Sequence, residues 1–404
     1  MKLHRNIALG IVNGLENTLI ECRPAGDVIK KLLKSNPGWG SRDRRTIAQA
    51  FYDIIRQKRF FHALTGNESE AINPWSLLGC WMVFNEFPLP KWEVFYKINS
   101  KEIKTKAQAL VQHRKYKYSI PDWLDQMGFE AFGEDIWEKE IASLNTPADL
   151  VIRVNTLVTS VEKLKDVLEK KHNIITRIVP GCPHALLFDK KQSLQNTEEY
   201  RKGWFEVQDA NSQKISPWLE AQSGKYYIDA CAGAGGKSLH LADLTKDSAR
   251  IVALDIYPSK LDELRKRCFR NNIQSVETVN VEDEKTLKSL EPNADGVLID
   301  APCSGLGVLK RNPDTKWSMT PERLTDIVKT QERILKTYAP LVKKEGKLVY
   351  ATCSILPIEN KLQVDKFLNS QPGSKFELEK DHTYFSHLTG FDGFYCARLI
   401  KKCE

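Results

Sequence analysis

Apolar positions in the first third of the chain recur at helical spacing. Ile47, Phe51, Ile54 and Ile55 fall at i, i+4, i+7 and i+8, and Ser41 stands where it could cap that helix. Residues 75–87, entered by Pro74, and residues 92–98 continue the texture, which breaks at Pro88 and Pro90. Residues 1–145 are therefore expected to be all-helical. Asn145-Thr146-Pro147 marks a boundary, and beyond it the pattern changes. Residues 150–155 and 174–179 read as strands around a helical stretch at 161–170, with a further short strand near 185–188. This βαβ unit predicts a small α/β subdomain over 146–205, similar in plan to an RNA-recognition module. Residues 203–209 then lead into a helix expected over 210–221.

From residue 225 onward short apolar runs alternate with amphipathic stretches. Strands are expected at 226–228, 251–254, 276–281, 296–299 and 347–352, with a closing hairpin near 376 and 395–400. The alternation predicts a doubly wound α/β sheet over 206–404.

Composition narrows the picture a little. With 41% hydrophobic and 28% charged residues over 404 positions, the chain is an ordinary globular one with room for two or three domains. No stretch reaches the roughly 18 apolar residues of a membrane span, and the start, Met1-Lys2-Leu3-His4-Arg5, lacks the apolar run of a signal peptide. Nine cysteines are scattered singly, without a CxxC pair or a Cys/His cluster, which argues against a metal site and a disulfide framework. Reduced thiols, a cytoplasmic location and a monomer are expected, with no membrane partner.

The net charge of +8 hints at a polyanion, and local windows say more. Arg42, Arg44 and Arg45 crowd the first turn of the helix near Ser41, where the helix dipole does not help a cation. Between Lys97 and Lys117 seven basic residues face one acid, with Tyr116 and Tyr118 interleaved. Both windows suit a phosphate-and-base surface, and both equally suit a solvated helix face.

The first strand of the large sheet runs into Asp229-Ala230-Cys231-Ala232-Gly233-Ala234-Gly235-Gly236-Lys237-Ser238. Small residues there let a ligand approach the backbone at the switch point of the sheet. The turn lacks the third glycine of a dinucleotide fingerprint and the spacing of a P-loop. Asp255 ends the second strand, placed for the two hydroxyls of a ribose, and Asp283 follows the third strand within reach of an exocyclic amine. An acid after successive strands suits an adenosine without phosphates, and so S-adenosylmethionine, although each acid alone is more often a helix cap.

The chemistry is expected at two strand ends. Asp300-Ala301-Pro302-Cys303-Ser304-Gly305 follows one apolar run and continues through Lys310-Arg311-Asn312-Pro313-Asp314 to Trp317. Ala351-Thr352-Cys353-Ser354 follows another. A lone cysteine after a strand is more often a small buried hydrophobe. Two at analogous strand ends, each beside a serine, with an acid three residues before the first, point to catalysis. Arg311 and Asp314 read as loop-ordering groups.

With both thiols in place, the sequence resembles the Sun/RsmB family of RNA (cytosine-5)-methyltransferases. The matching pieces are Arg153-Val154-Asn155-Thr156, residues 203–209, residues 229–237, residues 300–317, and Ala351-Thr352-Cys353-Ser354 with Pro357 and Glu359-Asn360. They run in family order from about residue 150 onward, and the helical N-terminal part only loosely resembles the family's NusB-like RNA-binding domain. The cofactor turn departs from the family, which usually has Ala-Pro before the last two glycines; the chain also ends with the catalytic domain.

The resemblance implies a Rossmann-like class I S-adenosylmethionine-dependent methyltransferase with an N-terminal all-α domain and a small RNA-recognition-like α/β insert. It implies 5-methylcytosine formation, with Cys353 attacking carbon 6 of the base and Cys303 assisting release. Asp300 would bond the base, Lys237 would contact the base at the end of the cofactor turn, and Lys260 would lie near the cofactor. The cofactor set is then Cys231, Ala232, Gly233, Ala234, Gly235, Gly236, Lys237, Asp255, Lys260, Asp283 and Asp300. The partner implied is RNA, ribosomal in the leading reading and transfer RNA in the alternative; a silent RNA-binding assembly factor is the reading from a different class.

Overall fold

Helices build the first of two units, which comprises Met1–Thr146 together with Val308–Pro321; the second comprises Pro147–Gly307 and Glu322–Glu404. The computed structural model describes every residue except 1, 2, 67, 191, 283–289, 291 and 404.

In the first unit the helices Arg5–Leu19, Ser41–Arg56 and Pro74–Phe84 bury the expected stripe: Ile47, Phe51, Ile54 and Ile55 are all 0% exposed. Ser41 does not cap its helix. It is already the first helical residue, Gly40 occupies the capping position, and no side-chain bond forms there. The basic turn divides. The Arg44 guanidinium donates to the carbonyls of Trp39 at 2.9 Å and Asn36 at 3.0 Å, and to that of Leu33, so it closes the end of the preceding helix Ala25–Ser35. Arg42 and Arg45 stay exposed. In the second basic window Arg114 pairs with Asp125 at 2.7 Å and Lys117 with Glu138 at 2.8 Å, whereas Lys97, Lys101 and Lys104 are exposed.

The segment that follows the first thiol turn is held by this unit. Lys316, 1% exposed, donates to the carbonyls of Arg56 at 2.9 Å and Tyr118 at 3.3 Å and to Asn145 Oδ1 at 2.9 Å. Arg56 in turn donates to the carbonyls of Leu309 at 3.1 Å and Lys310 at 3.0 Å, and Trp317 Nε1 donates to Ile55 at 2.7 Å. Asp314 Oδ2 accepts from the Ala25 amide at 3.0 Å, a loop-ordering bond at a helix start.

The second unit opens with a four-stranded sheet. Its strands are β1 (Val151–Val154), β2 (Thr176–Val179), β3 (Cys182–Phe188) and β4 (Phe205–Val207), in the order β2-β3-β1-β4 and antiparallel throughout. β4 pairs with β1 from Phe205 to Val207, so this sheet runs past residue 205. The helix Val161–His172 covers one face through Leu164 and Leu168. On the opposite face Val151, Val179, Cys182 and Ala185 pack with Ala210 and Phe391, so the surface that an RNA-recognition module uses for stacking bases is closed here. The helix expected over 210–221 is broken: Ala210–Gln213 is helical, and a 3₁₀ turn at Ser216–Leu219 carries Pro217, which cannot continue an α-helical ladder.

The large sheet has β5 (Tyr226–Asp229), β6 (Arg250–Asp255), β7 (Val276–Asn280), β8 (Ala294–Asp300), β9 (Val342–Thr352), β10 (Phe376–Tyr384) and β11 (Phe394–Lys401). Their order is β10-β11-β9-β8-β5-β6-β7, parallel from β9 to β7, with the antiparallel pair β10 and β11 at one edge. All of the expected strands are present. The order reverses at β5, so the turn after β5 sits at the switch point where such sheets bind ligands.

Buried charges lock the two sheets of this unit together, and they explain motifs that had no assigned task. Arg153, 2% exposed, pairs with Asp243 at 3.0 Å, and the Thr156 amide donates to the same carboxylate at 3.0 Å. Asn155 donates to the Gly203 carbonyl at 2.8 Å. Gly203 has φ of +69°, and a Cβ there would meet the Arg270 carbonyl at 2.2 Å, which makes glycine obligatory. Glu206, 3% exposed, accepts from Arg267 at 2.9 Å, from Asn271 at 2.5 Å and from Arg270.

Candidate active site

The turn between β5 and the helix Gly236–Leu244 is shaped by two glycines with positive φ, Gly233 at +54° and Gly235 at +84°. A Cβ on Gly235 would stand 2.0 Å from Leu264, so that glycine allows the helix Pro258–Arg270 to close on the turn. A Cβ on Gly233 or Gly236 would meet nothing within 4 Å, which leaves open space in front of the turn. The Ala232 amide donates to the Leu254 carbonyl at 2.9 Å, and the Gly233 amide donates to Asp255 Oδ2 at 2.8 Å. Asp255 Oδ1 accepts from the Tyr257 amide at 2.8 Å. The carboxylate is thereby fixed at the end of β6, and each oxygen keeps a further lone pair for a ligand hydroxyl.

Asp229 lies under this turn and is fully buried. Its Oδ2 accepts from Ser238 Oγ at 2.6 Å, and its Oδ1 has no hydrogen-bond partner. Burial pushes its carboxyl up to about 6, with the neighbouring Asp300 charge acting in the same direction. Cys231 is driven far above the usual thiol range by burial and by the acids around it, Asp229, Asp300 and Asp255. The space in front of the turn and the unpaired Oδ1 fit a ligand carrying hydroxyls and a cation.

The thiol site stands beside it. β8 and β9 are parallel neighbours with Asp300 opposite Ala351, and the Ala301 amide donates to the Ala351 carbonyl at 2.9 Å. That register brings the Sγ atoms of Cys303 and Cys353 to 3.1 Å, both half-buried. Lys237 Nζ donates to Asp300 Oδ2 at 2.5 Å, and its side chain is 9% exposed. Burial presses the Lys237 ammonium down, and the Asp300 carboxylate more than offsets this, so the net shift is upward. The Cys303 thiol is held well above its usual range, first by its hydrogen bond with Cys353 and then by burial and the Glu359 charge. Either sulfur can donate in that contact.

Glu359 is the residue that sequence reasoning quoted without a role. It is 0% exposed and spans both thiol turns. It accepts from the Ser304 amide at 2.8 Å, Ser304 Oγ at 2.6 Å, Gln331 Nε2 at 3.0 Å and Ser354 Oγ. No local signal joins positions 55 residues apart, so only the fold could show this clamp. Arg267 was missed likewise: it donates to the Ala234 carbonyl at 2.6 Å while paired with Glu206, tying the cofactor turn to the small sheet.

The structure thus brings Asp300, Cys303, Cys353 and Lys237 into one cluster, with residues 231–237 and Asp255 adjoining it. Lys260 is exposed in the first turn of the helix Pro258–Arg270. Asp283 lies outside the described residues. Among the described residues no group of three His, Cys, Asp or Glu could hold a metal ion, and no helix is long and apolar enough to cross a membrane.

A glycine turn at the switch point of a seven-stranded sheet, with an acid after the next strand, defines a Rossmann-like class I methyltransferase fold with an N-terminal helical domain. The comparisons make this specific. The family model of the 16S rRNA methyltransferase RsmB/F matches residues 216–400, and that of the RsmF/B-like ferredoxin-like domain matches residues 120–195. The probable ribosomal RNA small subunit methyltransferase B of Synechocystis sp. is 36% identical over 304 residues, covering 70% of this chain and 67% of that protein. The ribosomal RNA small subunit methyltransferase B of Escherichia coli is 32% identical over 300 residues, covering 71% and 67%. The solved structure of PH0851 superposes with a TM-score of 0.82 over 99% of this chain and 100% of that one, at 24% identity. NSun6 from Pyrococcus horikoshii, solved with SFG, gives a TM-score of 0.64 over 70% and 99%, at 22% identity. The chain belongs to the RsmB/F family of 16S rRNA methyltransferases.

Proposed function

We propose that the chain is an S-adenosylmethionine-dependent RNA (cytosine-5)-methyltransferase that forms 5-methylcytosine in small-subunit ribosomal RNA. The observation that carries the reading is the pair of sulfurs 3.1 Å apart beside the Lys237–Asp300 ion pair. Carbon 5 of cytosine is a weak nucleophile, and a thiolate added at the adjacent carbon 6 makes it reactive. Two thiols on one edge of the base suit that addition and its reversal.

When bound, S-adenosylmethionine supplies an electrophilic methyl group on its sulfonium. Asp255 would hold the ribose hydroxyls and Asp229 Oδ1 the amino group, with the open face of Gly233 and Gly236 giving room. Cys353 is the attacking sulfur. Asp300, steadied by the Lys237 ammonium, would accept from the exocyclic amine and bond ring nitrogen 3, which takes up a proton as thiolate addition pushes electron density onto it. After the methyl has moved to carbon 5, the carbon 5 proton leaves to a base and the carbon–sulfur bond breaks, which restores the ring. Cys303 attends that release.

The target base must be unpaired or flipped out for thiol and methyl donor to reach its two faces. For the RNA around it, exposed Lys97, Lys101 and Lys104 beside Tyr96, 73% exposed, supply cations and an aromatic ring on the helical unit. We read residues 1–145 as an RNA-binding, NusB-like domain on that basis.

The test is methylation of 16S rRNA from a strain lacking this gene, with bisulfite sequencing of the product. One newly protected cytosine is expected. Methyl transfer to transfer RNA alone would overturn the substrate, and cofactor binding without transfer to any RNA would favour a silent assembly factor.

A further inference from the structure

We propose that Glu359 is a positioning residue that sets the spacing of the Cys303 and Cys353 sulfurs. The proposal rests on the cytosine-5 reading for its catalytic meaning but on thiol geometry for its evidence.

Each catalytic thiol is followed by a serine, and both serines bind one carboxylate. Glu359 Oε1 accepts from the Ser304 amide at 2.8 Å and Gln331 Nε2 at 3.0 Å, and Oε2 accepts from Ser304 Oγ at 2.6 Å and from Ser354 Oγ. Ser304 Oγ also lies 3.3 Å from Ser354 Oγ. Gln331 additionally donates to the Pro302 carbonyl at 3.0 Å, immediately before Cys303. The Glu359 carbonyl accepts from Tyr350 Oη at 2.7 Å, which fixes its own backbone to β9. The next residue repeats the logic. Asn360 Oδ1 accepts from Thr352 Oγ1 at 2.5 Å and its Nδ2 donates to the Ser354 carbonyl at 2.9 Å, so Cys353 is bracketed on both sides.

A carboxylate at 0% exposure with this set of donors is an anion locked in place, and the two turns cannot separate without breaking bonds to it. Its charge also acts on Cys303, in the direction that raises that thiol. The titratable and charged groups around that thiol are Cys353 just past β9, Tyr350 on β9 and Glu359 itself, while the Lys237 ammonium acts on Cys353. Negative charge at Glu359 adds to the burial that disfavours a thiolate on Cys303.

The experiment needs no RNA. On the full chain, alkylation of Cys303 and Cys353 by iodoacetamide is followed against pH by mass spectrometry. Closure of a Cys303–Cys353 disulfide by diamide, which takes up the two electrons and two protons released, reports the spacing. In Glu359→Gln the Cys303 alkylation profile is expected to move to lower pH, and disulfide closure to slow by roughly tenfold as the turns loosen. Ser354→Ala keeps the charge and removes one anchor. It is expected to slow closure while leaving the Cys303 profile in place, which a general loss of structure would not do. Wild-type behaviour of Glu359→Gln in both readouts overturns the proposal, and so does wild-type closure in Ser354→Ala should Glu359→Gln fail to fold. A methyl group found elsewhere on the RNA would overturn the cytosine-5 reading alone, since neither thiol readout depends on it.

Discussion

Lys237 Nζ and Asp300 Oδ2 form an ion pair at 2.5 Å, although 63 residues separate them, because the helix after β5 begins beside the end of β8. The lysine closes the cofactor turn and the acid opens the first thiol motif. One contact thus joins the two halves of the site, and it places a fixed charge pair against the sulfurs.

The proposed chemistry gives the two thiols separate roles. Cys353→Ala is expected to abolish methylation and to form no covalent complex with RNA. Cys303→Ala is expected to methylate the base and then stall, leaving a protein–RNA band on a denaturing gel. A band with Cys353→Ala and none with Cys303→Ala would reverse the assignment.

Asp229 stores a stability cost with a defined pH window. Its carboxyl is raised from 3.8 to about 6, so the folded state favours the neutral form. Below the lower value there is no penalty; it builds as pH rises through the window and is complete above about 6, where it amounts to at most about 3 kcal/mol. Asp229→Asn is expected to raise the urea midpoint at pH 7, with the gain shrinking as pH falls toward 4, while weakening binding of S-adenosylmethionine. A gain independent of pH would show that the carboxyl is not raised.

Arg153 and Asp243, each with a side chain 2% exposed, form a buried pair between the small sheet and the methyltransferase sheet. Arg153→Ala leaves the carboxylate without its cation and is expected to cost about 3–5 kcal/mol in chemical denaturation. Adding Asp243→Asn should recover part of that loss. Strict additivity of the two substitutions would deny the coupling.

Gly233 and Gly235 share a turn but not a sensitivity. Gly235→Ala drives a methyl into Leu264 at 2.0 Å and is expected to unfold the turn, with loss of cofactor binding by calorimetry. Gly233→Ala meets open space, and its cost is the left-handed backbone alone, about 1 kcal/mol. Equal losses for the two would mean that the Leu264 contact does not set the turn.

Much of the fold was legible because it rests on local periodicity. Runs such as Val297-Leu298-Ile299 and Leu348-Val349-Tyr350 are buried on both faces and read as parallel strands from sequence alone. Ile47, Phe51, Ile54 and Ile55 showed their helix for the same reason. Ser41 failed as a cap and residues 210–221 failed as one helix because single-residue boundaries and Pro217 outweigh average texture. Lys310, Lys316 and Trp317, quoted beside the first thiol, turned out to serve the helical unit.

Residue type and spacing by themselves determined the class of sheet, the glycine turn, and that two thiols and an acid stand at strand ends. Those features are written within a few residues of one another, where strand alternation and turn chemistry operate. The tertiary structure alone decided that Cys303 and Cys353 meet, that Lys237 reaches Asp300, and that Glu359 holds both serines. It also turned Arg153-Val154-Asn155-Thr156 into a buried clasp between two sheets. These pairings depend on strand order and register, and a hydrogen bond between groups dozens of residues apart leaves no period along the chain.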